Sequence, residues 1–310
     1  MQKSDIVAVV MGGPSAEREI SLVTGGAIAS ALREKGYQVV ELDLDPKRFG
    51  QQLAESGAKV VFNAVHGLYG EDGRLQTLLE IREMPYTGSG MLASAVCMDK
   101  AATKRYFRDA GIPTPKCLII KRSDINIENK ILKNFDLPIV IKPSSQGSSL
   151  GVEIVKNKAD LKEAIDGAFK YSDTILAEEF IVGKELTVGI LERAGKPMAL
   201  PVIHIAPHSG VYDFHSKYTK GETDYIVPAD FDAQTTLKVQ EIAVAAYKIL
   251  GCSGIARADM MLDEQGNAYV LELNTIPGMT ATSLVPKAAA AIGMSFADLC
   301  EEILLSASLR

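Results

Sequence analysis

Asp259, Glu272 and Asn274 are the residues whose types and spacing most directly specify a chemistry. Glu272 and Asn274 stand two apart in the apolar run YVLELN, so on a strand their side chains leave the same face. Asp259 lies in the preceding run, ARADMMLD, across a turn centred on Gln265-Gly266. Counting back from that turn puts Asp259 opposite Glu272 to within about one or two residues. Two carboxylates that close raise each other's pKa unless a cation lies between them. Three oxygen donors with room for water and phosphate oxygens suit Mg²⁺. A solvated surface hairpin is the alternative, but the flanking MML and YVLEL are too apolar for a wet strand. Arg257 leaves the same face as Asp259, where its guanidinium suits a developing oxyanion.

A second group is IVIKPSSQGSSLGV. Lys142 closes an apolar strand, and Gly147 and Gly151 let the following backbone approach a ligand closely. Successive N–H groups and serine hydroxyls, Ser148 and Ser149 among them, can donate to phosphoryl oxygens beside the Lys142 charge. There is no GxxxxGK[ST], so this is not a P-loop. Glu17 follows the first strand by a short turn; by itself it is an ordinary acid in a helix's first turn. His66, in AVHGLYGEDG, follows another strand on the same edge and by itself reads as a satisfied loop histidine.

These residues need a scaffold. Residues 6–10 (IVAVV) form a continuous apolar run, as expected for a strand covered on both faces. After Gly12-Gly13-Pro14, Ser15 is placed to cap a helix with apolar positions Ile20, Val23, Ala27 and Ala31, ending at Gly36. Strands at 37–42 and 59–64 complete a β-α-β start to an open, largely parallel sheet. A Lys- and Arg-bearing helix over 99–110 follows, then strands LPIVIKP, VEIV and TILAEEF with a helix over 159–170. The remainder carries strands ELTVGIL and MALPVI, a polar loop over 206–224, a helix over 233–250, the hairpin and one final helix. This pattern divides into 1–98, 99–182 and 183–310 in the 310-residue chain, an α/β protein with α+β character. With 47% hydrophobic and 23% charged residues it is an ordinary folded protein, and a net charge of −6 argues against a nucleic-acid partner. No apolar run approaches membrane-spanning length, so the expected location is the cytoplasm. Cys97, Cys117, Cys252 and Cys300 show no metal spacing and read as reduced thiols.

Taken together, GGPSAEREIS, HGLYGEDGRLQ, PYTGSGMLASAVCMDK, KPSSQGSSLGV, HSKYTKGET, RADMMLD and ELNTIPGMTATSLVP resemble the D-alanine:D-alanine ligase family of the ATP-grasp superfamily, in order and end to end. The resemblance implies three domains: an N-terminal one for the first D-alanine, with ATP held between the central and C-terminal ones. It implies ATP-dependent joining of two D-alanines through an acyl phosphate, for peptidoglycan precursors, by a homodimer. It puts Mg²⁺, or Mn²⁺, on Asp259, Glu272 and Asn274. It puts the phosphates near Lys100, Lys142, Lys217 and the loop holding Gly147 and Ser149. The adenine and ribose side falls to Glu178, Glu179, Ile181 and Glu185, with Glu179 standing where some members carry a basic residue. Glu17 would bind the first ammonium, partnered by Ser148 and Tyr218, with His66 on the substrate side. Arg257 and the N–H of Gly278 would stabilise the oxyanion, and Ser283 and Leu284 would hold the second carboxylate. Members making D-alanyl-D-lactate tend to carry Phe at the tyrosine, so Lys217-Tyr218 favours the dipeptide over D-lactate or D-serine products. A dinucleotide-dependent oxidoreductase, the rival from another class, lacks its G-x-G-x-x-G here.

Overall fold

The computed structural model describes residues 2–147, 150–208, 219, 221–280 and 282–310. Its N-terminal part alternates β1 (Ile6–Met11), α1 (Arg18–Glu34), β2 (Gln38–Asp43), α2 (Phe49–Ser56), β3 (Val60–Asn63) and α3 (Arg74–Ile81). The strands form a parallel sheet in the order β2-β1-β3. The continuous apolar run of β1 is explained by its two faces: Val7, Val9 and Met11 enter one core cluster, Ala8 and Val10 another. Because the chain leaves β1 for β2 on one side and returns to β3 on the other, the carboxyl ends of β1 and β3 border the crevice of the sheet.

Two expectations for α1 are corrected. Ser15 is not its cap: Glu17 holds the N-cap position, and Ser15 Oγ instead accepts the Glu17 N–H at 3.1 Å. Its buried face is Ser21, Thr24, Gly25, Ile28, Ala31 and Leu32, whereas Ile20 and Val23 are exposed, Val23 to 62%. The small and hydroxyl-bearing residues face in because polar groups await them: Ser21 Oγ accepts from the Gly12 N–H and donates to the Ala64 carbonyl, binding the β1 and β3 ends together.

Next come α4 (Met91–Met98), α5 (Lys100–Asp109), β4 (Cys117–Lys121), α6 (Ile127–Asn134), β5 (Ile139–Pro143), β6 (Glu153–Val155), α7 (Leu161–Ala168) and β7 (Thr174–Glu179). Asp99 caps α5, its side chain accepting from the Ala101 and Ala102 N–H groups. The four strands form an antiparallel sheet, β4-β7-β5-β6, with its own core around Ile120, Ile141 and Ile175. The expected helix over 159–170 is shorter, a 3-10 turn followed by α7.

The last part holds β8 (Gly183–Arg193), β9 (Lys196–Ala199), β10 (Ile203–Pro207), β11 (Thr223–Ile226), α8 (Ala233–Ile249), β12 (Ile255–Asp263), β13 (Ala268–Asn274), α9 (Leu284–Ala290) and α10 (Phe296–Leu305). Its sheet runs β11-β10-β8-β12-β13, with β9 beside β8. MALPVI is thus two strands rather than one, broken around Pro201, where the proline removes a ladder donor. The single closing helix is two, separated at Gly293, whose φ of +77° suits glycine.

Candidate active site

The C-terminal sheet separates its residues by face. Leu186, Val188, Ala256, Ala258, Met260, Val270 and Leu273 pack inward with α8 residues Val239, Ala243 and Ala246. Glu185, Thr187, Arg257, Asp259, Glu272 and Asn274 alternate with that set and line the other face. Asp259 pairs with Glu272 and Arg257 with Asn274 across the β12–β13 ladder. A register shift after Asp259 takes the next pair to Met260 and Val270, so Leu271 is the extra residue of a bulge. The bulge lets Val270 enter the core while Glu272, two residues on, faces the cleft.

Each carboxylate has a protein cation of its own, which meets, from the side chains alone, the expectation that a cation must offset their repulsion. Arg257 grips Asp259 with two hydrogen bonds, Nε to Oδ1 at 2.8 Å and Nη2 to Oδ2 at 2.7 Å. Thr187 Oγ1 adds a third donor to Asp259 at 2.7 Å. Lys100 Nζ lies 3.0 Å from Glu272 Oε2. Asn274 Oδ1 accepts the Ile276 N–H at 3.1 Å, turning the chain into the loop that carries Gly278.

Lys100 also joins two segments. Its ammonium donates to the Gln146 carbonyl at 2.8 Å, so it spans the gap between Glu272 and the start of the Gly/Ser loop. Next along that loop, a methyl group placed on Gly147 would lie 3.5 Å from Glu17 Oε2, and one on Gly67 only 2.6 Å from the same oxygen. Glu17 therefore rests between two glycines from opposite sides of the cleft. The turns after β1 and β3 are tied by Ser15 Oγ donating to the His66 carbonyl at 2.7 Å.

His66 is buried, its Nε2 3.0 Å from Thr24 Oγ1 and its Nδ1 3.5 Å from Glu71 Oε1. Burial pushes the Glu71 carboxyl up, against the opposing pull of His66. Sequence reasoning quoted Glu71 within HGLYGEDGRLQ but gave it no role. It missed Lys104 altogether, although the helical spacing of Lys100 and Lys104 on α5 was a usable signal. On the central sheet, Lys142 Nζ lies 2.8 Å from Glu178 Oε2 and Lys104 Nζ 3.0 Å from Glu178 Oε1. Each oxygen of Glu178 thus lies within ion-pair distance of an ammonium, although Oε1 makes no aligned hydrogen bond, so the Lys104 contact there is one of charge. Glu179 is exposed, and Ile181 and Glu185 are half-buried along the exit from β7 into β8. Ser283 precedes α9, which Leu284 begins, and Ser283 Oγ accepts the Thr280 N–H at 3.0 Å. A methyl group on Gly278 would meet Ser283 Oγ at 3.0 Å, so these two lie together. Ser148, Ser149, Lys217 and Tyr218 fall outside the described residues.

The family model described as D-ala D-ala ligase C-terminus matches residues 106–305, and that described as D-ala D-ala ligase N-terminus matches 46–89. A D-alanine--D-alanine ligase of Syntrophotalea carbinolica is 46% identical over 315 residues, covering all of both chains. One from Methylacidiphilum infernorum is 46% identical, covering 98% of this chain and 96% of its own. Among solved structures, D-alanine--D-alanine ligase from Bacillus anthracis complexed with ATP superposes with a TM-score of 0.83 at 35% identity, over 98% of this chain and 96% of that one. The VanG D-Ala:D-Ser ligase from Enterococcus faecalis gives 0.83 at 30% identity, over 97% and 98%. The same fold thus accompanies different second substrates in these neighbours.

Proposed function

The chain belongs to the D-alanine--D-alanine ligase family, with the ATP-grasp fold of its structural neighbours, and from that premise we propose that it joins two D-alanines into D-alanyl-D-alanine. ATP is converted to ADP and phosphate by way of a D-alanyl phosphate, and the dipeptide serves peptidoglycan precursor synthesis in the cytoplasm. The observation that carries this reading is the continuity of the cleft. Glu17 lies against Gly147, and Lys100 joins the neighbouring Gln146 carbonyl to Glu272, so an acid for an ammonium, a phosphate loop and a carboxylate pair share one space.

A carboxylate resists amines until one oxygen becomes a leaving group, which phosphorylation achieves. In this reading Glu17 holds the first D-alanine by its ammonium, with Ser148 and Tyr218 as partners and His66 beside it. That substrate's carboxylate takes the γ-phosphoryl group from ATP. Lys100, Lys142 and Lys217 offset the phosphate charge, with the Gly147 and Ser149 backbone around it, while Glu178, Glu179, Ile181 and Glu185 border the nucleoside. The second amine then attacks the acyl carbon and phosphate leaves. Arg257 and the Gly278 N–H stabilise the oxyanion formed there, and Ser283 and Leu284 orient the second carboxylate. Asp259, Glu272 and Asn274 offer oxygen donors only, the set preferred by Mg²⁺ and Mn²⁺. A divalent ion there supplies further positive charge against the phosphates. A homodimer is the assembly expected in this reading.

The test is phosphate release with Mg²⁺ and ATP across D-alanine, D-serine and D-lactate, with the products identified. The reading requires turnover with D-alanine alone, giving the dipeptide. Turnover only with another pair of substrates sinks it.

A further inference from the structure

Lys104 carries an ammonium with no exposed side-chain surface, 0% accessible, against 11% for Lys100 and 8% for Lys142. Its partners lie on different parts of the molecule. Nζ donates to Thr114 Oγ1 at 2.5 Å, and that hydroxyl donates to the Val270 carbonyl of β13 at 2.7 Å. Phe107, one turn along α5, packs in the core of the C-terminal sheet, so Lys104 is anchored to that body. Glu178 belongs instead to the central sheet, where Cys117 and Val140 pair with it on either side and Lys142 stands diagonally on the same face.

Two ammonium groups therefore share one buried carboxylate. Burial pushes the Glu178 carboxyl up, but Lys104 and Lys142 together outweigh it and hold it below the usual carboxylate range. Burial lowers Lys104 to about 8, with Lys142 and Glu178 acting in opposite senses on it. The titratable groups facing Lys104 are Glu178, Lys142 and the Cys117 thiol, with Arg108 beside that thiol. The cluster of one carboxylate and two ammonium groups carries one uncompensated positive charge next to the Gly/Ser loop, which calls for an anion.

We propose that Lys104 is a positioning residue for the nucleotide: by taking one oxygen of Glu178 it keeps Glu178 from neutralising Lys142, whose ammonium stays available to a phosphate. Without Lys104, Glu178 has Lys142 as its sole ion-pair partner within the triad and cancels its charge. The inference rests on the ATP-binding reading above and concerns binding of the nucleotide rather than the chemical step.

The experiment measures the Kd of ATP with Mg²⁺ by calorimetry, together with kcat and the KM values for ATP and D-alanine. Lys104→Met is expected to weaken ATP by about tenfold in Kd and KM, with kcat and the D-alanine KM within about twofold of wild type. Lys104→Arg keeps a cation beside Glu178, and its ATP affinity should stay within about threefold of wild type. A Lys104→Met variant with unchanged ATP affinity, or one losing kcat instead, overturns the proposal. So does a Lys104→Arg variant that binds ATP more weakly than this. If Lys104→Met does not fold, Lys104→Arg decides by the same limit. Wild-type protein that binds ATP in this Lys104-dependent way but does not ligate D-alanine keeps the inference and removes the proposed reaction.

Discussion

At the scale of single residues, the Asp259 and Glu272 carboxylates are each paired with a cation before any ligand arrives. Glu272 is held by Lys100 and Asp259 by Arg257, so a metal entering there displaces or rearranges existing ion pairs rather than filling a repulsive gap. Glu272→Gln keeps the shape but removes a hard anionic donor; phosphate release should fall on the order of a hundredfold or more while the thermal melt stays close to wild type. Near-normal turnover would remove Glu272 from the metal set. Arg257→Lys keeps the charge but loses the two-pronged grip on Asp259, and kcat should drop on the order of a hundredfold with the ATP KM little changed. That Asp259, Glu272 and Asn274 share a face was legible because strand parity is strict: residues two apart share a face, and the turn fixes the partner. Lys104 and Glu71 were not legible as buried charges. Each finds its partner only in the fold, Lys104 on α5 with Glu178 of the central sheet, and an isolated charged letter gives no hint that it will be buried.

At the scale of elements, polar burial explains where pattern reading failed. In α1 the apolar spacing of Ile20, Val23 and Ala27 pointed to the wrong face, because Ser21 and Thr24 bond to the strand ends and to His66 and so turn inward. The parallel strands were easy to read, since a strand covered on both sides must be apolar throughout. The β-bulge at Leu271 was not, because it leaves no mark in composition, whereas the break between β9 and β10 had a signal in Pro201. Gly70 shows how tightly the His66 loop is held: an added methyl would lie 1.8 Å from the Val65 carbonyl oxygen, backbone that cannot step aside. Gly70→Ala should cost roughly 1–3 kcal/mol in denaturant melts and raise the D-alanine KM as the loop shifts. The last helix, α10, offers a pH test. Ser295 and Asp298 form a reciprocal capping box, and Lys35 pairs with Asp298. The Lys35 contact first, then Ser295, hold the Asp298 carboxyl at about 2, below its ordinary 3.8. A depressed carboxyl pKa stabilises the fold above its unfolded value and loses that contribution as pH falls through the folded one. Asp298→Asn should therefore melt below wild type near about pH 7, and the gap should close between about pH 4 and pH 2. A gap independent of pH would assign the effect to packing instead.

At the scale of the whole molecule, the hydrophobic cores do not follow the order of the chain. Val7, Val9, Ile28 and Leu32 from the first part share one cluster with Leu191, Ile203, Val285 and Leu304 from the last. The central sheet keeps a cluster of its own, and α5, which precedes it in sequence, sends Phe107 into the C-terminal core. The first and last parts are thus one packed body, and the sheet β4-β7-β5-β6 is packed separately and meets it where Lys104 pairs with Glu178 and Lys100 with the Gln146 carbonyl, so movement of that sheet as a unit is the expected form of closure. A fragment of residues 1–98 would expose the side of its sheet that α9, α10 and β10 cover, and it should show no cooperative melting transition. Hydrogen exchange on the full chain with Mg²⁺ and a non-hydrolysable ATP analogue should slow in residues 139–155 and 174–185 while the amides of β1 and β12, already deep in the body, stay unchanged. If β1 and β12 gained protection to the same degree as the central sheet, closure would be a tightening of the entire molecule, and a central sheet moving as a separate unit would be the wrong description.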